Sequence, residues 1–214
     1  MYRNDEGDRF QRAMGLMIQS LRSGGIYSTS LLQAFASIPR HLFVSEALRY
    51  RAYEDTSLPI GFGQTISRPS TIARMLQVCD IRSSSRVLEV GTGSGYQAAL
   101  LSVLCGKVVT CERIHDLHTR ARQVLFQLGL NNVHCVYNDN GGFDGVRGEY
   151  DVIIVAAVAD ATPPGLIEFM APGGVMVVPV HSNSGQVLRR YSREESGSVI
   201  EEDIGDANFV PLVV

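Results

Sequence analysis

The feature that most constrains the fold is a glycine-rich turn between an apolar segment and a helical one. Residues 87–90 have the composition of a short buried strand, and the turn Gly91-Thr92-Gly93-Ser94-Gly95 follows them directly. A helix is predicted over about residues 95–104. Glycines at such a junction let the backbone turn sharply and approach a ligand closely. The turn therefore predicts a β/α unit with a ligand site at the carboxyl end of the strand.

Strands and helices continue to alternate after the turn. Further strands are predicted at residues 107–111, 133–137, 151–155 and 175–180, and helices at 115–128 and 164–170. The segment 151–155 is nearly all apolar, which is typical of a strand covered on both faces. This alternation predicts a doubly wound, mostly parallel α/β sheet of Rossmann-like type.

The remaining segments are predicted to complete one domain over residues 1–214. Helices are expected at 8–22, from about 28–30 to before Pro39, and at 69–78, with an irregular loop over 58–69. The tail from Gln186 is expected to form antiparallel strands. The predicted parts are a helical N-terminal cap with a loop (1–80), a ligand-binding β/α core (81–180) and closing strands (181–214).

Composition excludes several classes of protein. The 19 Lys and Arg residues against 22 Asp and Glu give a net charge of -3, without the basic excess that nucleic-acid binding requires. The polar first residues indicate no secretory signal, and no apolar run is long enough to span a membrane. The cysteines lack the paired spacing of a zinc or redox site. We therefore expect a cytoplasmic protein that binds neither nucleic acid, membrane nor metal, with reduced cysteines at positions 79, 105, 111 and 135.

The residues around the turn separate the ligand classes. Tyr96 stands where a dinucleotide fingerprint needs a third glycine or alanine, and no Gly-Lys-Ser/Thr phosphate loop is present. The glycine-flanked serine of an esterase elbow is also absent. Glu89 lies on the strand two residues before Gly91. A carboxylate there suits a cationic amino-acid group better than a pyrophosphate.

Two more acidic residues follow the next two strands. Glu112 ends the second strand, where a carboxylate can accept hydrogen bonds from both hydroxyls of a ribose; the alternative is a surface glutamate paired with Arg113 or Lys107. Asp139 follows the third strand and can reach an adenine edge. The alternative for Asp139 is a turn-forming role among its Asn and Gly neighbours.

With these residues in place, the chain resembles the protein-L-isoaspartate O-methyltransferase family over about residues 10–213. The glycine turn is shared by most S-adenosylmethionine enzymes, whereas Gln-Thr-Ile-Ser-x-Pro at 64–69 is specific to this family. Other matching segments are Ile38-Pro39-Arg40, Ala52-Tyr53-Glu54-Asp55, Pro172-Gly173-Gly174 and Phe209-Val210-Pro211-Leu212. The sequence departs from the usual pattern at Asn138-Asp139-Asn140 and at Ala156-Ala157-Val158.

The resemblance implies a function and a set of site residues. The implied activity is methyl transfer from S-adenosyl-L-methionine to the free α-carboxylate of isoaspartyl residues, a protein-repair reaction that releases S-adenosyl-L-homocysteine. Ser67 is the implied catalytic residue, and the implied substrate-binding residues are Thr65, Ile66, Val210 and Pro211. The implied cofactor-binding residues are Glu89, Gly91, Thr92, Gly93, Ser94, Gly95, Glu112 and Asp139.

The chemistry is consistent with these residue types. A carboxylate acceptor is ionised at pH 7, so no strong general base is needed, and the five histidines form no recognisable triad. Ser67 and Thr65 offer hydroxyl donors next to a helix N-terminus; the alternative for Ser67 is a plain helix cap. Two other functions stay open, a carboxyl methyltransferase of a different peptide acceptor and a cofactor-binding homologue without turnover. A monomer is favoured.

Overall fold

The computed structural model describes residues 3–139, 143–160, 164–183 and 185–211. The first part of the chain is mostly helical, with two short 3-10 helices at Arg40–Phe43 and Glu46–Arg51. The α-helices are α1 (Arg3–Ser23), α2 (Thr29–Ser37), α3 (Pro69–Gln77), α4 (Tyr96–Leu104), α5 (His115–Gln127) and α6 (Pro164–Ile167). A small hairpin precedes α3 and consists of β1 (Leu58–Gly61) and β2 (Gln64–Ile66).

Among the described residues, seven strands form one sheet in the order β5-β4-β3-β6-β7-β8-β9. Strands β3 to β7 pair in parallel, and β8 and β9 continue the sheet as antiparallel strands. Their bounds are β3 (Arg86–Val90), β4 (Lys107–Glu112), β5 (Val133–Tyr137), β6 (Tyr150–Val155), β7 (Met170–Ser182), β8 (Gly185–Arg193) and β9 (Val199–Ala207). The predicted fold class is therefore confirmed.

Two apolar cores cover the two faces of the sheet. Successive side chains of a strand point to opposite faces, and β3 shows the consequence. Val87 packs in the core that contains Phe35 of α2 and Leu100 of α4, whereas Leu88 packs in the core that contains Leu166 of α6. This burial on both faces explains why the central strands read as continuous apolar runs.

The strand order places a crevice beside the carboxyl end of β3. The chain runs from β3 outward to β4 and β5, then returns to β6 on the other side of β3. The connections on the two sides of β3 therefore diverge and leave a gap at its carboxyl end, which is where open α/β sheets bind ligands.

The structure differs from the sequence prediction in two segments. The loop expected over 58–69 contains the β1–β2 hairpin, because Leu58 and Ile66 pair with each other and are both buried. The helix expected at 164–170 ends at Ile167. Met170 instead opens β7 opposite Tyr150, and Gly173, with φ 73°, helps to form the irregular start of that strand.

Other observations bear on the chain's class. No helix in the described part of the chain is long and apolar enough to cross a membrane. The cysteines are free thiols, as expected; Cys79, Cys105 and Cys111 are buried and Cys135 is half-buried.

The antiparallel edge of the sheet is polar. Arg189 of β8 bonds Asp203 of β9, with a distance of 2.6 Å from Nε to Oδ1, and Arg190 bonds Glu202 at 2.9 Å. The outermost strand, β9, is mostly exposed.

Candidate active site

A cavity lies at the carboxyl ends of β3 and β4. One wall contains the glycine turn and the strand ends, and the opposite wall contains the end of the β1–β2 hairpin. Residues that line it include Gln64, Thr65, Ile66, Ser67, Glu89, Gly91, Thr92, Gly93, Ser94, Glu112, Asn138, Ala156, Ala157, Val210 and Pro211. The fold thus gathers segments from distant parts of the chain around one space.

The glycine turn adopts backbone angles that favour glycine. Gly91, Gly93 and Gly95 have φ values of 95°, 53° and 86°, a region that side chains with a Cβ rarely occupy. Gly95 does not line the cavity, but a Cβ added there would lie 3.1 Å from the Cβ of Ala121. Gly95 therefore lets α4 begin directly against α5, while the preceding turn residues face the cavity.

Glu89 is a fully buried carboxyl group in the cavity wall. Its Oε2 accepts a hydrogen bond from Thr110 Oγ1 at 2.5 Å, and Thr110 Oγ1 lies 2.6 Å from Thr92 Oγ1. Its Oε1 has no partner with hydrogen-bond geometry in the described part of the chain, although Gln97 lies close enough to favour the ionised form. Burial outweighs these contacts and raises the pKa of Glu89 to about 8.

Glu112 is held rigidly by backbone groups. Its Oε2 accepts from the Gly93 N–H at 2.8 Å, and its Oε1 accepts from the N–H groups of Arg113 and Ile114, each at 2.9 Å. It is buried, and no ion pair joins it to Arg113 or Lys107 among the described residues. The surface-pair alternative for Glu112 is therefore wrong. A carboxylate has about four lone-pair directions, so capacity remains to accept from a ligand hydroxyl.

Asp139 was predicted to reach the adenine edge of the ligand, but its neighbour Asn138 lies closer to the cavity. Asn138 is buried and lines the cavity, and its N–H donates to the Glu112 carbonyl at 2.9 Å. Asp139 is exposed and does not belong to the lining residues in the described part of the chain. Residue 140, the end of the departure from the family pattern, lies outside the described residues.

The opposite wall carries the predicted catalytic serine. Ser67 is half-buried between β2 and α3, and Thr65 and Ile66 precede it in the lining. The residue at the N-cap of α3 is Arg68, and the N–H of Ser70 in the first turn donates to Asp55 Oδ1 at 2.8 Å. Within the described residues, Asp55 and not Ser67 therefore caps this helix, so the plain-cap alternative for Ser67 is wrong.

The C-terminal segment closes the cavity. The Val158 N–H donates to the Val210 carbonyl at 2.9 Å, and Val158 and Pro211 form an isolated parallel bridge. This docking brings Val210 and Pro211 to the lining, as the resemblance implied.

Sequence reasoning missed residues that line the cavity or support its walls. Thr110 lies directly opposite Glu89 in the parallel register of β3 and β4, so aligning the two strands would have revealed it. Thr110 does not line the cavity itself but bonds Glu89, which does. Gln97 lies in the first turn of α4 and lines the cavity. Arg40 lines no part of the cavity but bonds the Ser67 carbonyl from behind, and no local sequence signal indicates this.

Comparison with known proteins identifies the family. A family model described as protein-L-isoaspartate(D-aspartate) O-methyltransferase matches residues 12–214. The protein-L-isoaspartate O-methyltransferase of Hahella chejuensis is 46% identical over 199 residues, which cover 92% of this chain and 93% of that protein. This chain belongs to the protein-L-isoaspartate O-methyltransferase family. The Stenotrophomonas maltophilia protein of the same name is 45% identical over 203 residues, which cover 95% of this chain and 90% of that protein.

Solved structures of the family share the fold. One protein-L-isoaspartate O-methyltransferase superposes with a TM-score of 0.81 at 28% identity. The match covers 92% of this chain and 65% of the solved chain. A Plasmodium falciparum chain described by the same family name, in complex with S-adenosyl-L-homocysteine, has a TM-score of 0.79 at 24% identity. The match covers 92% of this chain and 96% of that chain. The departures from the family pattern lie at the cavity itself, because Asn138, Ala156 and Ala157 all line it.

Proposed function

We propose that this protein transfers a methyl group from S-adenosyl-L-methionine to the free α-carboxylate of L-isoaspartyl residues in damaged proteins or peptides. Membership of the protein-L-isoaspartate O-methyltransferase family and the names of relatives up to 46% identical support this assignment. One structural observation carries it. A single cavity joins a buried acidic and glycine-rich wall, suited to a cationic adenosyl ligand, to a hydroxyl-bearing wall suited to a carboxylate.

The acidic wall fits the proposed cofactor. Glu89 has a buried oxygen without a hydrogen-bond partner among the described residues, which suits the cationic amino-acid end of S-adenosylmethionine. Glu112 is fixed by backbone N–H groups at the end of β4, where we place the ribose hydroxyls. The turn from Gly91 to Ser94 brings bare backbone to the space between these carboxylates. We keep Gly95 and Asp139 as proposed cofactor-side residues, with Gly95 acting through the shape of the turn.

The cofactor supplies an electrophilic methyl group on a sulfonium. The acceptor carboxylate is already ionised at pH 7, with an ordinary pKa of roughly 4, so the protein has no proton to remove from it. We assign Ser67 and Thr65 the task of donating hydrogen bonds to the acceptor, with Ile66, Val210 and Pro211 excluding water. Alignment of carboxylate and methyl group, and removal of water between them, then provide the rate enhancement.

The proposal is tested by a paired assay with labelled S-adenosylmethionine. Two peptides identical except for an isoaspartyl or aspartyl linkage at one residue are incubated with the protein. We expect methylation of the isoaspartyl peptide alone, because the pocket places only that carboxylate in line, and a shift of about 1 Å costs on the order of 100-fold. Ser70→Ala, a matched serine outside the cavity lining, is expected to leave the rate unchanged.

A different acceptor is the second candidate. The unusual residues Asn138, Ala156 and Ala157 line the cavity and favour a changed substrate more than a changed fold. Equal methylation of both peptides, or of the aspartyl form alone, supports that candidate. Binding of S-adenosylhomocysteine without turnover on either peptide supports a cofactor-binding homologue.

The setting of the protein is also a proposal. We place it in the cytoplasm as a monomer that acts on protein and peptide substrates, without nucleic acid or membrane partners. We further propose that residues 1–214 act as one domain, with the cap and substrate loop (1–80), the cofactor-binding core (81–180) and the closing strands (181–214) as its parts. Size-exclusion chromatography with light scattering tests the monomer, and a single cooperative unfolding transition tests the one-domain proposal.

A further inference from the structure

Arg40 is a fully buried arginine behind the hydroxyl-bearing wall of the cavity. It begins the 3-10 helix Arg40–Phe43, and the described residues show no carboxylate in an ion pair with it. Burial of the guanidinium lowers the pKa of Arg40 to about 10, so it stays protonated at pH 7. A buried cation whose hydrogen bonds go to neutral carbonyls, with the charge of Asp55 only partly offsetting burial, is a poor way to stabilise a core, because an apolar side chain of similar volume avoids the desolvation penalty. The position therefore calls for a reason other than stability.

The guanidinium joins two backbone segments. Its Nε donates to the Ala52 carbonyl at 2.7 Å, and its Nη2 donates to the Ser67 carbonyl at 2.8 Å. Ala52 opens the segment Ala52-Tyr53-Glu54-Asp55, whose last residue caps α3 through the Ser70 N–H. These contacts hold the peptide group after Ser67 from one side and the start of α3 from the other. The direction of the Ser67 side chain is thereby restricted.

The same guanidinium also contacts Tyr96, which belongs to the acidic and glycine-rich wall of the cavity. Its central carbon lies 4.8 Å from the centroid of the Tyr96 ring, a cation–π distance. Tyr96 is fully buried, follows Gly95 directly and lines the cavity. Phe43 packs edge-on against the same ring, with centroids 5.3 Å apart. One planar, rigid group thus lies against both the Ser67 backbone and Tyr96, the residue that follows the glycine turn.

We infer that Arg40 is a positioning residue for methyl transfer, which sets the distance between Ser67 and the glycine turn without touching either reactant. This inference rests on the proposed function. Lysine is a poor substitute because its ammonium lacks the planar fork that reaches two carbonyls and stacks on a ring. Small displacements of the acceptor from the methyl group reduce the rate steeply, so loss of the guanidinium should affect turnover more than binding.

The first test compares Arg40→Met and Arg40→Lys with the parent protein in the isoaspartyl peptide assay. Arg190→Met is the matched control, because Arg190 Nε also donates to a backbone carbonyl, that of Val78, but its other bond goes to Glu202 of β9 and not to a residue of the cavity lining. We expect kcat to fall about 10–1,000-fold in both Arg40 variants, with the KM for peptide and the Kd for S-adenosylhomocysteine changed less than about threefold. The control should keep kcat within about threefold.

A merely structural role predicts a different pattern. In that case kcat, cofactor affinity and melting temperature fall together, and the loss of kcat disappears when rates are divided by the fraction of protein that binds S-adenosylhomocysteine. That result, or a folded Arg40→Lys variant with kcat within about threefold of the parent, overturns the inference. Arg40→Lys keeps the charge and volume, so it serves if Arg40→Met does not fold.

Hydrogen exchange separates this inference from the proposed function. In the Arg40 variants we expect amide exchange in residues 64–68 to accelerate at least about tenfold, while exchange in the middle of α4 stays unchanged. This readout needs no turnover, so it holds even if the parent methylates neither peptide. Unchanged exchange in residues 64–68 of folded variants refutes the positioning role.

Discussion

Glu89 should make cofactor binding depend on pH. Its pKa is raised to about 8 by burial, so at pH 7 only about one molecule in ten carries the carboxylate. The proposed ligand has a cationic amino-acid end, which favours the ionised form. Ionising Glu89 before binding therefore costs free energy at pH 7, on the order of 1 kcal/mol. The apparent affinity should therefore follow the ionised fraction of Glu89.

The assay is calorimetric titration with S-adenosylhomocysteine at pH 6, 7 and 8. The ionised fraction rises from about 1% to about 50% over this range, so the affinity should rise about 50-fold. Binding at pH 7 should release close to one proton, and the measured heat should differ between phosphate and Tris buffers accordingly. Glu89→Gln, which cannot ionise, should bind more weakly at pH 8 and show less than about threefold change with pH.

The same group predicts how the stability of the ligand-free protein varies with pH. The ordinary pKa of 4.5 applies to Glu89 in the unfolded chain, and the folded value is higher. The neutral acid therefore favours the folded state below pH 4.5, and this contribution is lost as the pH rises towards 8. The loss between pH 5 and 8 should be on the order of a few kcal/mol and should be absent in Glu89→Gln, measured by urea unfolding. An affinity that does not vary with pH, or one that varies equally in the variant, refutes the reasoning.

Three further substitutions test other parts of the site. Glu112→Ala should weaken S-adenosylhomocysteine binding by about 1.5–3 kcal/mol, the range for hydrogen bonds to a charged group; an unchanged affinity in the folded variant would remove Glu112 from the site. Ser67→Ala should lower kcat about 10–1,000-fold with little change in cofactor Kd, and intact turnover in steady-state assays would contradict its catalytic role. Gly95→Ala should lower the free energy of unfolding by about 1–3 kcal/mol because of its positive φ and the close Ala121 contact. Gly165→Ala, with open space around it, is the control in denaturation, and equal effects would refute the strain argument.

The sequence predicted the parallel core well because its signals are local. The glycine turn fixed the position of β3 and α4 to within a residue or so, and the acidic residues at the strand ends fell in or near the cavity. These predictions need only strand periodicity and the rule that the carboxyl ends of parallel strands lie at one edge of the sheet. Glu89 and Glu112 were found for that reason.

Contacts between distant segments could not be predicted in the same way. The bonds from Arg40 to Ala52 and Ser67 depend on how the cap folds over the sheet, and a single sequence does not specify that packing. The β1–β2 hairpin was missed because its strands are four and three residues long, too short for a periodic pattern. Asn138, rather than its predicted neighbour Asp139, lines the cavity in the described part of the chain, because tertiary contacts set the orientation of a strand end; the cofactor role of Asp139 stays a prediction.

The polar edge of the sheet has a consequence for the working life of the protein. A repair enzyme meets aged, partly unfolded chains, whose exposed segments can pair with the edge strand of a folded sheet. At β9 such a chain would have to lie beside a mostly exposed strand whose carboxylates, Glu201, Glu202 and Asp203, are held in place by arginines of β8. Charged side chains on an edge strand oppose this pairing. The charges of β9 thus make this edge of the sheet a poor template for the aggregation of such chains.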